Sequence, residues 1–360
     1  IIAGLELQAG TSFMLGDFTV PLDVTYTYTD AEISDDNAET GFSDGDQLAS
    51  IPENAFSLRV ANPGGYLSGM ITPGQSVKVY INDDLMITGY LDDVSLSTDN
   101  AGSFMELSGR DLFGQLVDCS ATPKTLRNMT LEQAALELAG TWVSNWELEG
   151  ADNSKFRTIK IEPGESPLEV IERLARERDA IVWLEPDGTG KIGKPNYAQD
   201  PLYSIRFFPG DDPESRHNNV IRAATKDSLA NRFSTVTVLS QRGNTIQNVK
   251  RSTKGVATDS AVPITRPKYM AVSDPDDIKE AQQRAQREVD KGIFEGEQLD
   301  YVVAGHSQDG LPWRQNTMID VVDKVHSKDG NYYCTGIKYT KQDDGRFTEL
   351  VLHPSDRWLT

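Results

Sequence analysis

Between Ser108 and Ala121 the chain reads SGRDLFGQLVDCSA, which gathers Arg110, Asp111, Asp118 and Cys119 in one turn-like stretch. These are residue types that a catalytic site would use, and little else in the chain resembles chemistry. The same residues also fit a joint. Asp111 is placed to cap a short helix by accepting backbone N–H bonds, just after Gly109 lets the chain turn. Leu112, Phe113, Leu116 and Val117 then share one face, which buries that helix against a sheet. Arg110 and Asp118 are a candidate catalytic pair, but arginine brings five donors and no proton chemistry at pH 7. We therefore read them as the polar ends of a strand-to-helix connector, in which Arg110 satisfies exposed carbonyls.

Other motifs resolve in the same direction. Gly188-Thr-Gly-Lys-Ile-Gly193 has the spacing G-x-G-x-x-G after a strand. A dinucleotide site needs a helix next, so that the pyrophosphate meets a helix N-terminus. Here more strand follows, and Pro195 stands after Lys194 where a P-loop needs Ser or Thr. A hairpin turn fits instead, with glycine supplying the positive φ such turns demand. Gly41-Phe-Ser43-Asp-Gly45 matches a nucleophile elbow, but polar acidic sequence flanks it where a buried strand and a helix are required. Asp35, Asn37 and Glu39 alternate as in a calcium loop, yet Thr40 replaces its glycine and Asp46 its bidentate Glu. Residues 34–47 thus read as an exposed acidic loop.

His217, His306, His326 and His353 show no close ligand spacing with one another or with Cys119 or Cys334, and no H-E-x-x-H occurs. Solvated or packing roles are expected for them. Carboxylates are too abundant for any pair to nominate a glycosidase acid and base. Trp142, Trp146 and Trp183 could stack sugars, but large aromatics beside amphipathic helices are more often core. We expect no catalytic, cofactor-binding or metal-binding residue.

The elements that hold these residues are strands first. Phe56, Leu58 and Val60 alternate, as do Val77, Val79 and Ile81, and Asn82-Asp83-Asp84 turns a hairpin between Val77 and Val94. A strand from Ser103 to Leu107 leads into the joint. Two capping boxes follow, Thr130-Leu-Glu-Gln133 and Ser166-Pro-Leu-Glu169. The first opens a helix burying Leu131, Ala134, Ala135 and Leu138. The second buries Leu168, Ile171, Leu174 and Ala175, with Glu169–Arg173 and Glu172–Arg176 paired at i,i+4 on its wet side. With the strands of AIVWLEPDGTGKIG, residues 121–200 make a small α/β unit. Strands return in SIRFF and RFSTVTVLSQ, where Val236 and Val238 share a face. Residues 246–275 read as irregular, and DPDDIKEAQQRAQREVDKG is a helix with a thin stripe of Ile278, Ala281, Ala285 and Val289 and a terminal glycine. The end is strand-rich again: NTMIDVVD, YYCTGIKYT and RFTELVLH.

Composition narrows the class. The 360 residues exceed one ordinary core and predict two to four domains. Acidic side chains outnumber basic ones 55 to 35, a formal charge of −20, which opposes binding of nucleic-acid phosphates or anionic membranes. No run of about 18 apolar residues predicts a membrane span. The opening IIAGLELQAG lacks the regions of a signal peptide, and Ile1 in place of an initiator methionine leads us to expect a missing or processed true terminus. The two cysteines lie far apart, so a disulfide scaffold and a thiolate zinc site are not expected, and a reducing compartment is the simplest reading.

A hairpin and a strand, then S-G-R-D-L followed by L-V-D-C-S-A, resemble the baseplate hub protein of Mu-like contractile-tailed phages, which is related to the late control protein D family and to the hub portion of type VI secretion spikes. Thr130-Leu-Glu-Gln133, Arg232-Phe-Ser234 in a strand, Thr258-Asp-Ser260 before Arg266-Pro267, KEAQQRAQREVDKG, and Asp309-Gly-Leu-Pro-Trp313-Arg-Gln-Asn316 agree in the same order. The likeness runs from about Phe56 to the C-terminus, and the residues before Phe56 depart from it.

The resemblance implies an α+β, mainly β chain. It carries two β-barrel-like domains, a small α/β domain and a helix-containing insertion. We expect the first barrel at residues 1–118, the α/β domain at 119–200, the second barrel at 201–245 with 298–360, and the inserted segment at 246–297. It also implies a non-enzymatic homotrimer in the virion tail baseplate, assembled in the host cytoplasm without membrane insertion. That trimer would meet the six-fold tail tube protein, the three-fold central spike protein and other baseplate proteins, with DNA passing through its lumen without specific binding. Two other classes remain: a tail-associated cell-wall hydrolase, and a carbohydrate-binding β-module suggested by the tryptophans and strands.

Overall fold

A computed structural model describes residues 13–15, 18–20, 30–35, 54–62, 65, 67–69, 71–81, 84–100, 102–178, 180–240, 254–272, 278–342 and 345–355. The molecule is α+β and mainly β. Its chain divides into two compact units, one of residues 1–196, 302–315 and 335–350, the other of residues 197–301, 316–334 and 351–360.

In the first unit, antiparallel strands Asp30–Asp35, Asn54–Ala61, Gly102–Asp111, Asp84–Asp99 and Ser76–Ile81 lie side by side in that order. The expected alternation is real. Phe56, Leu58, Val60, Val77, Val79, Ile81, Met105 and Leu107 are all buried on the inward side of their strands. The strand entering the joint is longer than Ser103–Leu107 and carries Gly109 and Arg110 within the ladder. Its partner Asp84–Asp99 is bulged between Leu91 and Asp93, which gives Asp92 an extra position outside the regular register.

Helix α1 (Phe113–Asp118) follows directly, then α2 (Leu131–Ala139) and α3 (Pro167–Arg176). Both predicted capping boxes form, each with reciprocal bonds between the cap and the residue three further on. The predicted faces of α2 and α3 are buried in one core with Trp146, Ile159, Val182 and Ile192. Around them run the antiparallel pair Thr125–Met129 and Phe156–Lys160, and the sheet Ile181–Leu184, Gly190–Gly193, Trp146–Glu149. On the wet side of α3, Glu169 and Arg173 take other partners than each other. The Glu169 carboxylate accepts from the Ser166 N–H, so Arg173 turns to Glu165 and the Lys160 carbonyl, while Arg176 Nε donates to the Glu172 carbonyl.

In the second unit, Tyr203–Phe207 runs parallel to Met318–Asp323, which pairs antiparallel with Lys328–Tyr333. Residues 246–275 are not irregular where described: Lys254–Thr258 and Pro267–Val272 flank Thr235–Ser240 in a three-stranded sheet. These strands are short and carry glycine or proline, which hid them. Helix α4 (Ile278–Gly296) lies on that sheet, burying Ala281, Ala285 and Val289 against Val236, Val238 and Ala257. It runs past its expected stop at Gly292, where a Cβ would lie 2.6 Å from the Asn231 carbonyl oxygen. Gly292 is therefore a contact glycine, not a cap. Arg232 and Phe233 precede the strand, which starts at Thr235.

Candidate functional site

The joint is built by close backbone approach. Gly109 does not turn the chain; a Cβ there would lie 2.1 Å from the Tyr90 carbonyl oxygen and 2.7 Å from the Phe56 ring. Only a glycine lets the two strands and Phe56 meet. Arg110 follows, and its guanidinium reaches two carboxylates. Nε donates to Asp92 Oδ2 at 2.7 Å, and Nη1 and Nη2 grip Asp118 at 3.2 and 2.5 Å. These bonds raise the Arg110 pKa still further, Asp118 contributing most, and the same fork lowers that of Asp118. The arginine is locked in its charged form, so it clamps and does not shuttle protons.

Asp111 is 3% exposed and fully engaged. Its Oδ1 accepts the Phe113 N–H at 2.8 Å, and its Oδ2 accepts the backbone and side-chain N–H groups of Asn54 at 2.9 and 2.8 Å. It opens α1 from one residue further back than a standard cap, since Leu112 occupies the cap position. Phe113 and Leu116 are buried as expected, but Val117 is exposed because the six-residue helix presents only one side. Cys119 is free and ends the helix, its N–H donating to the Gln115 carbonyl. These residues fasten a strand to a helix.

The other candidates separate. Gly188 sits at φ 91° in the turn between Ile181–Leu184 and Gly190–Gly193, a hairpin with no helix after it. Trp146 and Trp183 are buried, bonded to the Val143 carbonyl and the Glu185 carboxylate. Trp142 is half-buried against the same core. The Gly41–Gly45 motif and most of the acidic stretch, including Asn37, Glu39, Thr40 and Asp46, lie outside the described residues.

The four histidines stay apart. His217 pairs with Glu214 on the surface. His306 is buried, its Nε2 bonded to the Thr340 carbonyl, and burial lowers its pKa. His353 stacks on Phe294, with Nδ1 against the carbonyls of Phe294 and Glu297, and burial lowers its pKa too. Among the described residues no group of three or more His, Cys, Asp or Glu is placed to hold a metal ion.

One cluster was missed. Asp323, fully buried, accepts the Tyr301 hydroxyl at 2.9 Å, the His326 N–H at 2.9 Å and His326 Nδ1 at 2.8 Å. Burial, with the Asp323 charge, pushes the Tyr301 phenol up. Three donors on one carboxylate hold a strand end to its turn. The signal was present in NTMIDVVD, where Asp323 falls on the inward side with Ile319 and Val321. A second buried pair joins two residues already quoted for the resemblance: Arg232 Nε and Nη2 donate to Asp259 Oδ2 at 3.0 and 2.8 Å. Among the described residues no helix is long and apolar enough to cross a membrane.

Comparison with known proteins gives four consecutive matches in chain order. Residues 46–111 match the N-terminal domain of the Mu phage baseplate assembly protein GpP-like family, and 113–194 the second domain of the baseplate hub protein gp44-like family. Residues 232–289 match the third domain of the tail protein NMB1110-like family, and 277–360 the fourth domain of Mu phage baseplate assembly protein GpP. Baseplate hub protein gp44 of Escherichia phage Mu is 26% identical over 312 residues, covering 82% of this chain and 79% of that protein. The tail protein of Neisseria meningitidis MC58 is 26% identical with a TM-score of 0.77, covering 97% of this chain and 98% of its own. The 43 kDa tail protein of prophage MuSo2 from Shewanella oneidensis shares the fold at TM-score 0.77 and 24% identity, over 97% and 99%.

Strand-rich units fastened by arginine–carboxylate clamps, with matches to phage tail families over residues 46–111, 113–194 and 232–360, make the chain similar to the structural proteins of phage tails. Within that class the chain is most usefully compared with the baseplate hub proteins of Mu-like phages, which it resembles over most of its length.

Proposed function

We propose that the chain forms a homotrimeric hub that adapts the six-fold tail tube to the three-fold central spike, performing no reaction. The observation that carries this reading is the series of matches, in chain order, to one baseplate hub, two baseplate assembly and one tail protein domain family over residues 46–111, 113–194 and 232–360. Within each copy we assign one barrel to residues 1–118 and a second to 201–245 with 298–360, separated by the α/β domain at 119–200 and interrupted by the segment at 246–297. Three chains with two similar barrels each present six similar surfaces to the tube and a three-fold face to the spike, which identical contacts alone do not provide. DNA passes through the ring without specific binding, and assembly takes place in the host cytoplasm before the protein becomes part of the virion tail.

Electron microscopy of tails carrying an epitope-tagged chain tests the placement. Label at the distal end of the tube supports the hub, whereas label along the sheath overturns it. Superposing the two assigned barrels tests the adaptor: strands differing in order or direction would remove the pseudo-six-fold argument. A zymogram on purified peptidoglycan separates the hub from a cell-wall hydrolase, which would clear the gel.

A further inference from the structure

Beside the joint lies a hollow of about 390 Å³ lined by Pro73, Gly74, Tyr90, Leu91, Asp92, Gln115 and Trp142. Its polar and aromatic walls come from three places: the bulged strand supplies Tyr90 and Asp92, α1 supplies Gln115, and the loop after α2 supplies Trp142. Tyr90, Asp92, Gln115 and Trp142 are all partly exposed, so their side chains are open to a ligand.

Charge decides what that ligand is. Asp92 lines the hollow and shares the Arg110 guanidinium with Asp118, which does not line it, so across the joint two carboxylates stand against one guanidinium. The chain as a whole adds a field of the same sign, with a formal charge of −20. Aromatic faces carry a negative quadrupole that attracts cations, and tryptophan does so best. A volume near 390 Å³ admits one side chain and excludes a folded domain.

We propose that this hollow is a socket for a basic side chain, arginine above all, presented by a partner protein. Its guanidinium packs on Trp142 and Tyr90 and donates to Asp92 and Gln115. The inference rests on the hub reading only for which protein supplies that side chain.

The test labels the intact protein with 5-fluorotryptophan, assigns the Trp142 resonance with Trp142→Phe, and titrates N-acetyl-arginine amide. A saturable shift of the Trp142 signal is expected, with none from the neutral citrulline amide or from N-acetylglucosamine. Asp92→Asn weakens binding roughly tenfold, and Gln115→Glu, which adds charge without touching the Arg110 clamp, tightens it about threefold. No shift with the arginine amide, an equal shift with citrulline, a preference for the sugar, or indifference to Gln115→Glu would each overturn the socket. A trimeric hub that binds no arginine sinks the socket alone, and a monomer that binds it removes the hub alone.

Discussion

At the scale of single residues, the chemistry of this chain is clamping. Arg110 spans two carboxylates with three nitrogens, a geometry that a lysine ammonium does not reproduce. Arg110→Lys should therefore cost about 1–2 kcal/mol in urea denaturation, and a variant as stable as wild type would show the fork to be idle. The buried histidines set a pH dependence. His306 and His353 have folded pKa values pushed below the ordinary value of 6.5 by burial, so the unfolded chain binds more protons. Their contribution is complete above about pH 6.5 and is lost as pH falls through the lowered values. The urea midpoint should drop as the pH falls below about 6.5, and His353→Gln, which keeps a donor toward the two carbonyls, should flatten part of that drop. A profile unchanged by His353→Gln would contradict the assignment. The sequence suggested a joint from arginine's lack of proton chemistry and placed Asp118 within its reach, but it gave no sign of Asp92. A carboxylate brought in by a bulged neighbouring strand, as Asp92 is, carries no local signature.

At the scale of elements, strong local codes were legible and contact glycines were not. Both capping boxes and the inward faces of α2 and α3 follow from side chains three and four apart, so the sequence displays them directly. Gly109 and Gly292 look like a turn and a stop, because the backbone atoms that require them belong to distant segments. Asp323 was passed over because an acid on an inward strand position makes sense only when Tyr301 and His326 converge on it. Gly292→Ala separates the two readings. In an exposed helix the change would stabilise by roughly 1 kcal/mol. Here the Cβ lies 2.6 Å from a backbone oxygen, so the melting temperature should fall, and a rise would mean that α4 does not press on Asn231.

At the scale of the whole molecule, the order of weak motifs spoke for a hub where no single motif did. The chain carries an excess of carboxylates, 55 acidic against 35 basic side chains. We expect it on the lumen wall of the ring, where like charge keeps passing DNA from sticking, and a neutral or basic channel in a structure of the assembled ring would sink that idea. The assembly itself is tested by mass. Light scattering of the purified chain, alone and with its spike protein, should give a species of three times 39.7 kDa, plus the spike where it is present. A chain that stays monomeric in both samples would contradict the trimeric hub.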